Sequence, residues 1–207
     1  MQKNISVVLN AGSSTDMLKK VLWGYNTQTY RNFEVIIACA DDEAVQDITV
    51  QMGQEVFYPV TCTKSIEKAV ETAVTDYIIM SCGNCIPRTD FIEQHVKYRV
   101  EGFFVTGGAT EISVSQAGRI NRENLYKGDI FNTYSSVFNS GLLGSMLNRV
   151  IPASSQWNNY NASAWKKDII KAMVQQKITP GLGNELIKNG LKAKQIGFSA
   201  VCLCLNS

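Results

Sequence analysis

No basic block and no acidic tail appears in this sequence of 207 residues. Its 20 lysines and arginines stand against 18 aspartates and glutamates, a formal charge of +2. The clustered cations that give a dedicated nucleic-acid binder its affinity are therefore missing, and no nucleic-acid partner is expected. Long hydrophobic runs are missing as well. The first apolar stretch, Ile5 to Leu9, is about five residues long, too brief for a signal-peptide core or a membrane span. The expected location is thus the cytoplasm, with a peripheral position at the inner membrane face as its variant, and no transmembrane segment is expected. Internal repeats and low-complexity segments are absent, which argues against solenoid and fibrous designs.

What the chain has in quantity is apolar surface. With 45% hydrophobic residues and a length that buries roughly 70% of the unfolded surface, it builds one substantial core without staples. Six cysteines (Cys39, Cys62, Cys82, Cys85, Cys202, Cys204) would suit disulfides in a secreted protein. In a reducing cytosol they are expected to be small buried hydrophobes instead.

Ile5 to Leu9 is rich in β-branched residues and apolar apart from Ser6, the pattern of a strand covered on both faces. Ser14 or Thr15 can cap a following helix carrying Met17, Leu18, Val21, Leu22 and Tyr25 at helical spacing. A second buried strand, Phe33 to Ala38, stops at Asp41-Asp42-Glu43, suited to a helix start. Glu55 to Pro59 reads as a short third strand, Ser65 to Val74 as a helix, Tyr77 to Met80 as a strand and Phe91 to Val100 as a helix. Phe103 to Thr106 reads as a strand ending at Gly107-Gly108. The stretch from Gln116 to Trp157 has no firm period and suits short helices or a loop. Order returns with Asn161 to Val174, which carries Trp165, Ile169, Ile170 and Met173, followed by a turn at Thr179 to Gly183, a helix near Glu185 to Lys188 and a terminal strand, Phe198 to Leu205. Alternating strands and helices with short connections imply an α/β fold with a mostly parallel central sheet flanked by helices, whose ligands sit beyond the carboxyl ends of the strands.

The segments ISVVLN (5–10), QTYRNFEVII (28–37) and above all DYIIMSCGNCIPRTDFIEQH (76–95) resemble glycosyltransferase family 2. NASAWKKDI (161–169) and NELIKNGLKAKQI (184–196) are similar to the related galactosyltransferase C-terminal module. The resemblance implies a single GT-A domain over 1–207, with residues up to about 106 forming a nucleotide-sugar half and the rest an acceptor half. It implies attack by an acceptor hydroxyl on the anomeric carbon of a nucleotide diphosphate sugar. A carboxylate base assists, and manganese or magnesium on an Asp-x-Asp motif neutralises the leaving diphosphate.

Carried across residue by residue, the resemblance puts Cys82-Gly83-Asn84 at the Asp-x-Asp position, so both charged ligands are replaced. No metal cofactor is then expected unless a residual set such as Cys82, Asn84 and Cys204 still takes one. The nucleotide-recognising acidic pair falls on Cys39-Ala40, with Asp41 and Asp42 displaced by two residues. The aromatic-bearing run after the first strand falls on Asn10-Ala11-Gly12. The base position falls on Ile178-Thr179, which leaves Glu185 as the nearest carboxylate, although a glutamate there is expected on a solvated helix face. Asn161 and Trp165 fall on the acceptor side. A zinc site of Cys82, Cys85, Cys202 and Cys204 is a sharper alternative to buried cysteines. Gly107-Gly108 reads as a turn, Lys166-Lys167 as a solvated pair, and His95, the one histidine, as structural. Expected partners are a nucleotide diphosphate sugar if activity survives, or a working glycosyltransferase or other polysaccharide-assembly protein if the chain is a binding or scaffolding pseudoenzyme.

Overall fold

The structure, a computed structural model, describes residues 4–12, 14–131, 150–151, 156–175 and 181–203. Strand β1 (Ile5–Asn10) pairs in parallel with β2 (Phe33–Ala38) on one side and β4 (Tyr77–Cys82) on the other, and β2 pairs in parallel with β3 (Val60–Thr63). Because side chains alternate along a strand, Ile5, Val7 and Leu9 enter one core while Val8 enters a second on the opposite face. Helices α1 (Thr15–Asn26), α2 (Glu43–Gly53) and α4 (Phe91–Tyr98) cover the first face. Helix α3 (Ile66–Thr72) and, later in the chain, α7 (Lys166–Gln175) and α8 (Leu182–Lys188) cover the second. Short polar side chains start these helices: Ser14 accepts from the Met17 amide, Asp42 from Ala44 and Val45, and Ser65 from Lys68, each satisfying orphan amides of a first turn.

The second half departs from a parallel sheet. Strand β8 (Ala162–Trp165) runs antiparallel between β4 and β6 (Phe103–Ile112), β6 pairs in parallel with β9 (Lys192–Leu203), and β7 (Val150–Ile151) adds to β6. The short strand β5 (Cys85–Pro87) follows β4 by two residues yet pairs antiparallel with β9 at the other end of the sheet, in the order β3-β2-β1-β4-β8-β6-β9-β5. The sheet therefore curls, and α1 packs on β5 as well as on β1 and β2. Two small helices, α5 (Val114–Gly118) and α6 (Arg122–Tyr126), close the first core.

Three expectations change. The third strand lies at 60–63 rather than at Glu55 to Pro59, because Tyr58 is drawn into the core, its hydroxyl donating to the Leu22 carbonyl at 2.7 Å. Strand β6 does not end at Gly107-Gly108 but continues to Ile112, with irregular register against β9 at those glycines, a bulge rather than a turn. The ordered segment Asn161 to Val174 divides into a strand and a helix beginning at Lys166. The terminal strand starts at Lys192, well before Phe198. Much of the unreadable segment, and most of the expected turn at 179–183, lies outside the described residues. No helix among the described residues is long and apolar enough to cross a membrane.

Candidate functional site

Parallel register brings the ends of three strands into one row: Asn10 lies opposite Ala38 on one side and Cys82 on the other. The loops that follow, 10–12, 39–42 and 82–84, form the carboxyl edge of the sheet, where an open α/β fold places its ligands. The structure thus brings together Asn10, Ala11, Cys39, Cys82, Gly83 and Asn84.

The turn after β4 is pressed against the loop after β1. The Gly83 amide donates to the Asn10 carbonyl at 2.7 Å, and a Cβ on Gly83 would stand 1.9 Å from the Ala11 oxygen, so glycine alone fits. Asn84 bridges to the far strand: its Nδ2 donates to the Leu203 carbonyl at 3.3 Å, and its own carbonyl accepts from the Leu203 amide at 2.8 Å. Burial pushes the Cys82 thiol up to about 12, against a lowering contribution from the Asn84 amide, so the sulfur is a neutral thiol at ordinary pH. Its Sγ lies 3.0 Å from Cys85 Sγ.

Cys85 is disulfide-bonded to Cys202, which corrects the expectation that these cysteines are simple buried hydrophobes. Antiparallel pairing of β5 and β9 sets Cys85 directly opposite Cys202, a juxtaposition that the linear order does not reveal. The bond also removes two of the four sulfurs of the zinc alternative. Among the described residues no cluster of three or more His, Cys, Asp or Glu side chains can hold a metal ion. Cys204 and the Ile178-Thr179 pair lie outside the described residues.

The two displaced acids serve the loop itself. The Asp42 carboxylate caps α2, while Asp41 sits in the left-handed region (φ 64), beside Ala40 (φ 47), and pairs with Lys64 at 3.2 Å. Consecutive positive φ values at non-glycine residues mark a strained turn.

Glu185 is not on a solvated face. It lies in the first turn of α8 with its side chain 8% exposed, and Lys188 Nζ approaches it at 2.6 Å. The cause is close packing at this end of the helix: a Cβ on Gly183 would come within 2.5 Å of Trp157 Cβ, and Leu182 and Leu186 fill the second core.

The two residues expected on the acceptor side part company. Asn161 is fully buried: Oδ1 lies 2.9 Å from His95 Nε2, and Nδ2 donates to the Gly108 carbonyl at 2.8 Å. That orientation fixes the imidazole tautomer. Nε2 carries the proton toward Asn161, and Nδ1 accepts from the Ser163 hydroxyl at 2.7 Å, which lies 2.8 Å from the Tyr77 hydroxyl. Burial holds His95 down at about 4, against the raising effect of Asn161, so it is neutral. Trp165 stands opposite Tyr77, the first residue of β4, and so at the amino end of the sheet, away from the row at Cys82. Lys166 Nζ donates to the Glu71 and Ala73 carbonyls, and the exposed Lys167 pairs with Glu101. The Tyr77–Ser163–His95–Asn161 chain is what sequence reasoning missed. The alternation of small and polar residues in NASAW was its one available signal.

S. aureus TarS superposes with a TM-score of 0.57 over 97% of this chain and 37% of that one, at 10% identity. The chain shares with it a mixed α/β fold, a curled central sheet flanked by helices. A second structure, S. aureus TarS 1–349, gives 0.47 over 97% of this chain and 60% of that one, at 10% identity. The bifunctional IspDF from Campylobacter jejuni gives 0.47 over 95% and 50%, also at 10% identity. The chain thus spans between 37% and 60% of the solved chains it is similar to. No protein-family model matches it, and no curated protein does. The α/β, GT-A-type fold expected from the sequence is the fold found, with the sheet parallel in its first half and mixed in its second.

Proposed function

We propose that the chain is a family 2 glycosyltransferase-like protein that has given up metal-assisted sugar transfer and serves as a binding or scaffolding partner of a working transferase or other polysaccharide-assembly protein. The turn after β4 carries this reading. Where the resembled family places two carboxylates there is a neutral thiol, a glycine packed under Ala11 and an asparagine whose amide is bonded to Leu203. Hard divalent cations draw their affinity from carboxylate charge. A departing diphosphate left without a cation loses the largest electrostatic contribution to its transition state, and the absence of a carboxylate at 178–179 removes the family's base as well.

One observation favours a second reading, transfer without a metal. Glu185 is a buried carboxylate in the first turn of α8, on the helix that carries the family's base. On that reading it takes the acceptor proton, and Glu185→Gln abolishes any turnover.

Thermal shift against uridine and guanosine diphosphates and their sugars, with and without manganese, separates these readings, because a ligand that binds the folded state alone raises its melting temperature. The expected result is no manganese-dependent shift and no sugar release. A nucleotide shift that needs manganese, or turnover lost in Glu185→Gln, would overturn the proposal.

A further inference from the structure

Five of the six cysteines lie among the described residues, and all five sit toward the carboxyl edge. Cys39 follows β2, with Cys62 of β3 beside it close enough to share a hydrogen bond. Cys82 ends β4, Cys85 opens β5, and Cys202 lies at the end of β9. The last three form a continuous line of sulfurs, with Cys82 Sγ 3.0 Å from Cys85 Sγ and Cys85 bonded to Cys202. Cys82-Gly83-Asn84-Cys85 also has the spacing of a dithiol turn, in which two sulfurs two residues apart reach one another.

We propose that Cys82, Cys85 and Cys202 form a thiol–disulfide exchange site in which Cys82 displaces Cys202 from Cys85. In that step Cys82 loses its proton and its thiolate attacks Cys85 Sγ. The Cys82–Cys85 bond forms as the Cys85–Cys202 bond breaks, and Cys202 leaves as a thiolate that takes up the proton. One disulfide and one thiol stand on each side, so no outside oxidant or reductant enters. The exchange replaces a tie spanning a sequence separation of 117 with one that closes a tight turn. The edge between β5 and β9 is then held by backbone bonds such as that from the Leu203 amide to the Asn84 carbonyl. The site is independent of the binding-partner reading, which stands or falls on nucleotide and manganese binding.

Burial supplies the kinetic signature. With the Cys82 thiol raised to about 12, the attacking thiolate is scarce at neutral pH and grows about tenfold for each pH unit below that value. The test starts from oxidised protein in a Cys204→Ser background, so that no other thiol near the terminus competes. Samples are incubated at a series of alkaline pH values, quenched with acid, alkylated, and mapped by mass spectrometry without reduction. The expected result is a peptide carrying the Cys82–Cys85 disulfide, with Cys202 alkylated in step, appearing about tenfold faster per pH unit. Alkylation of Cys82 alone, with Cys85–Cys202 intact throughout, would overturn the proposal.

Cys202→Ser provides the second arm. Oxidised with glutathione disulfide, and with a wild-type circular dichroism spectrum, it should close Cys82–Cys85. Two free thiols at those positions in the folded variant would also overturn the proposal.

Discussion

Strands β1, β2 and β4 and the inner half of the sheet around β8 are equally buried, but they are held by different physics. In the first, the buried side chains are mostly apolar, Ile5, Val7, Leu9, Phe33, Val35 and Ile37 on one side and Val8 and Ile36 on the other, with Ser6 and Ser81 as polar exceptions. In the second, the interior carries Tyr77, Ser163, His95, Asn161 and Thr106, joined hydroxyl to imidazole to amide to backbone, with Asn158 Nδ2 reaching the Gly107 carbonyl at 2.7 Å. An apolar core tolerates change in proportion to volume. A polar one fails when a single partner is removed, because the group left behind is buried without a hydrogen bond. The parallel half is therefore expected to be forgiving and the mixed half brittle.

The largest effect should come from emptying the apolar half. Phe33 is fully buried against the rings of Tyr25, Phe57 and Tyr58, and Phe33→Ala should cost about 4 kcal/mol by urea denaturation, whereas Phe33→Leu should cost far less. Equal losses for the two variants would break the volume argument.

Next is the polar half, where even a well-packed replacement fails. His95→Leu leaves Ser163 and Asn161 without their partner and should cost about 3 kcal/mol at neutral pH. The same residue makes stability pH-dependent. Its folded pKa of about 4 lies below the unfolded value near 6.5, so the unfolded chain binds a proton first as pH falls. The contribution is fully present above about pH 6.5 and declines toward pH 4, by up to about 3 kcal/mol. In His95→Leu that slope should vanish, and its persistence would assign the acid sensitivity elsewhere.

A backbone contact sharpens the comparison at the edge between the halves. Gly83→Ala forces a methyl into the Ala11 carbonyl and should cost about 3 kcal/mol, the upper end of overpacking. Smallest of all, Lys64→Ala removes an exposed partner of Asp41 and should shift stability by less than about 0.5 kcal/mol.

The same contrast explains what the sequence could show. Ile5 to Leu9 and Phe33 to Ala38 read as strands because apolar β-branched runs have one stable use in an α/β sheet. β8 went unrecognised because the four small and polar residues before Trp165 carry too little pattern to reveal a strand. The bulge at Gly107-Gly108 looked like a strand end because Asn161 packs where a Cβ would stand, at 2.5 Å from its Nδ2. The carboxyl-edge row at Asn10 and Cys82 followed from strand order, whereas the Cys85–Cys202 bond and the burial of Glu185 depend on contacts between distant segments. Asn161 and Trp165 lie at opposite ends of β8, with Trp165 opposite Tyr77 at the amino end of the sheet.

The account turns on whether the residues after β4 work for the fold instead of for a cation. Electron paramagnetic resonance of free manganese, titrated with the protein in the presence of uridine or guanosine diphosphate, asks this directly. The free-ion signal should keep the intensity it has with nucleotide alone. A stoichiometric loss on adding the protein, reversed by Asn84→Ala, would mean that this turn still binds a metal and would contradict the account.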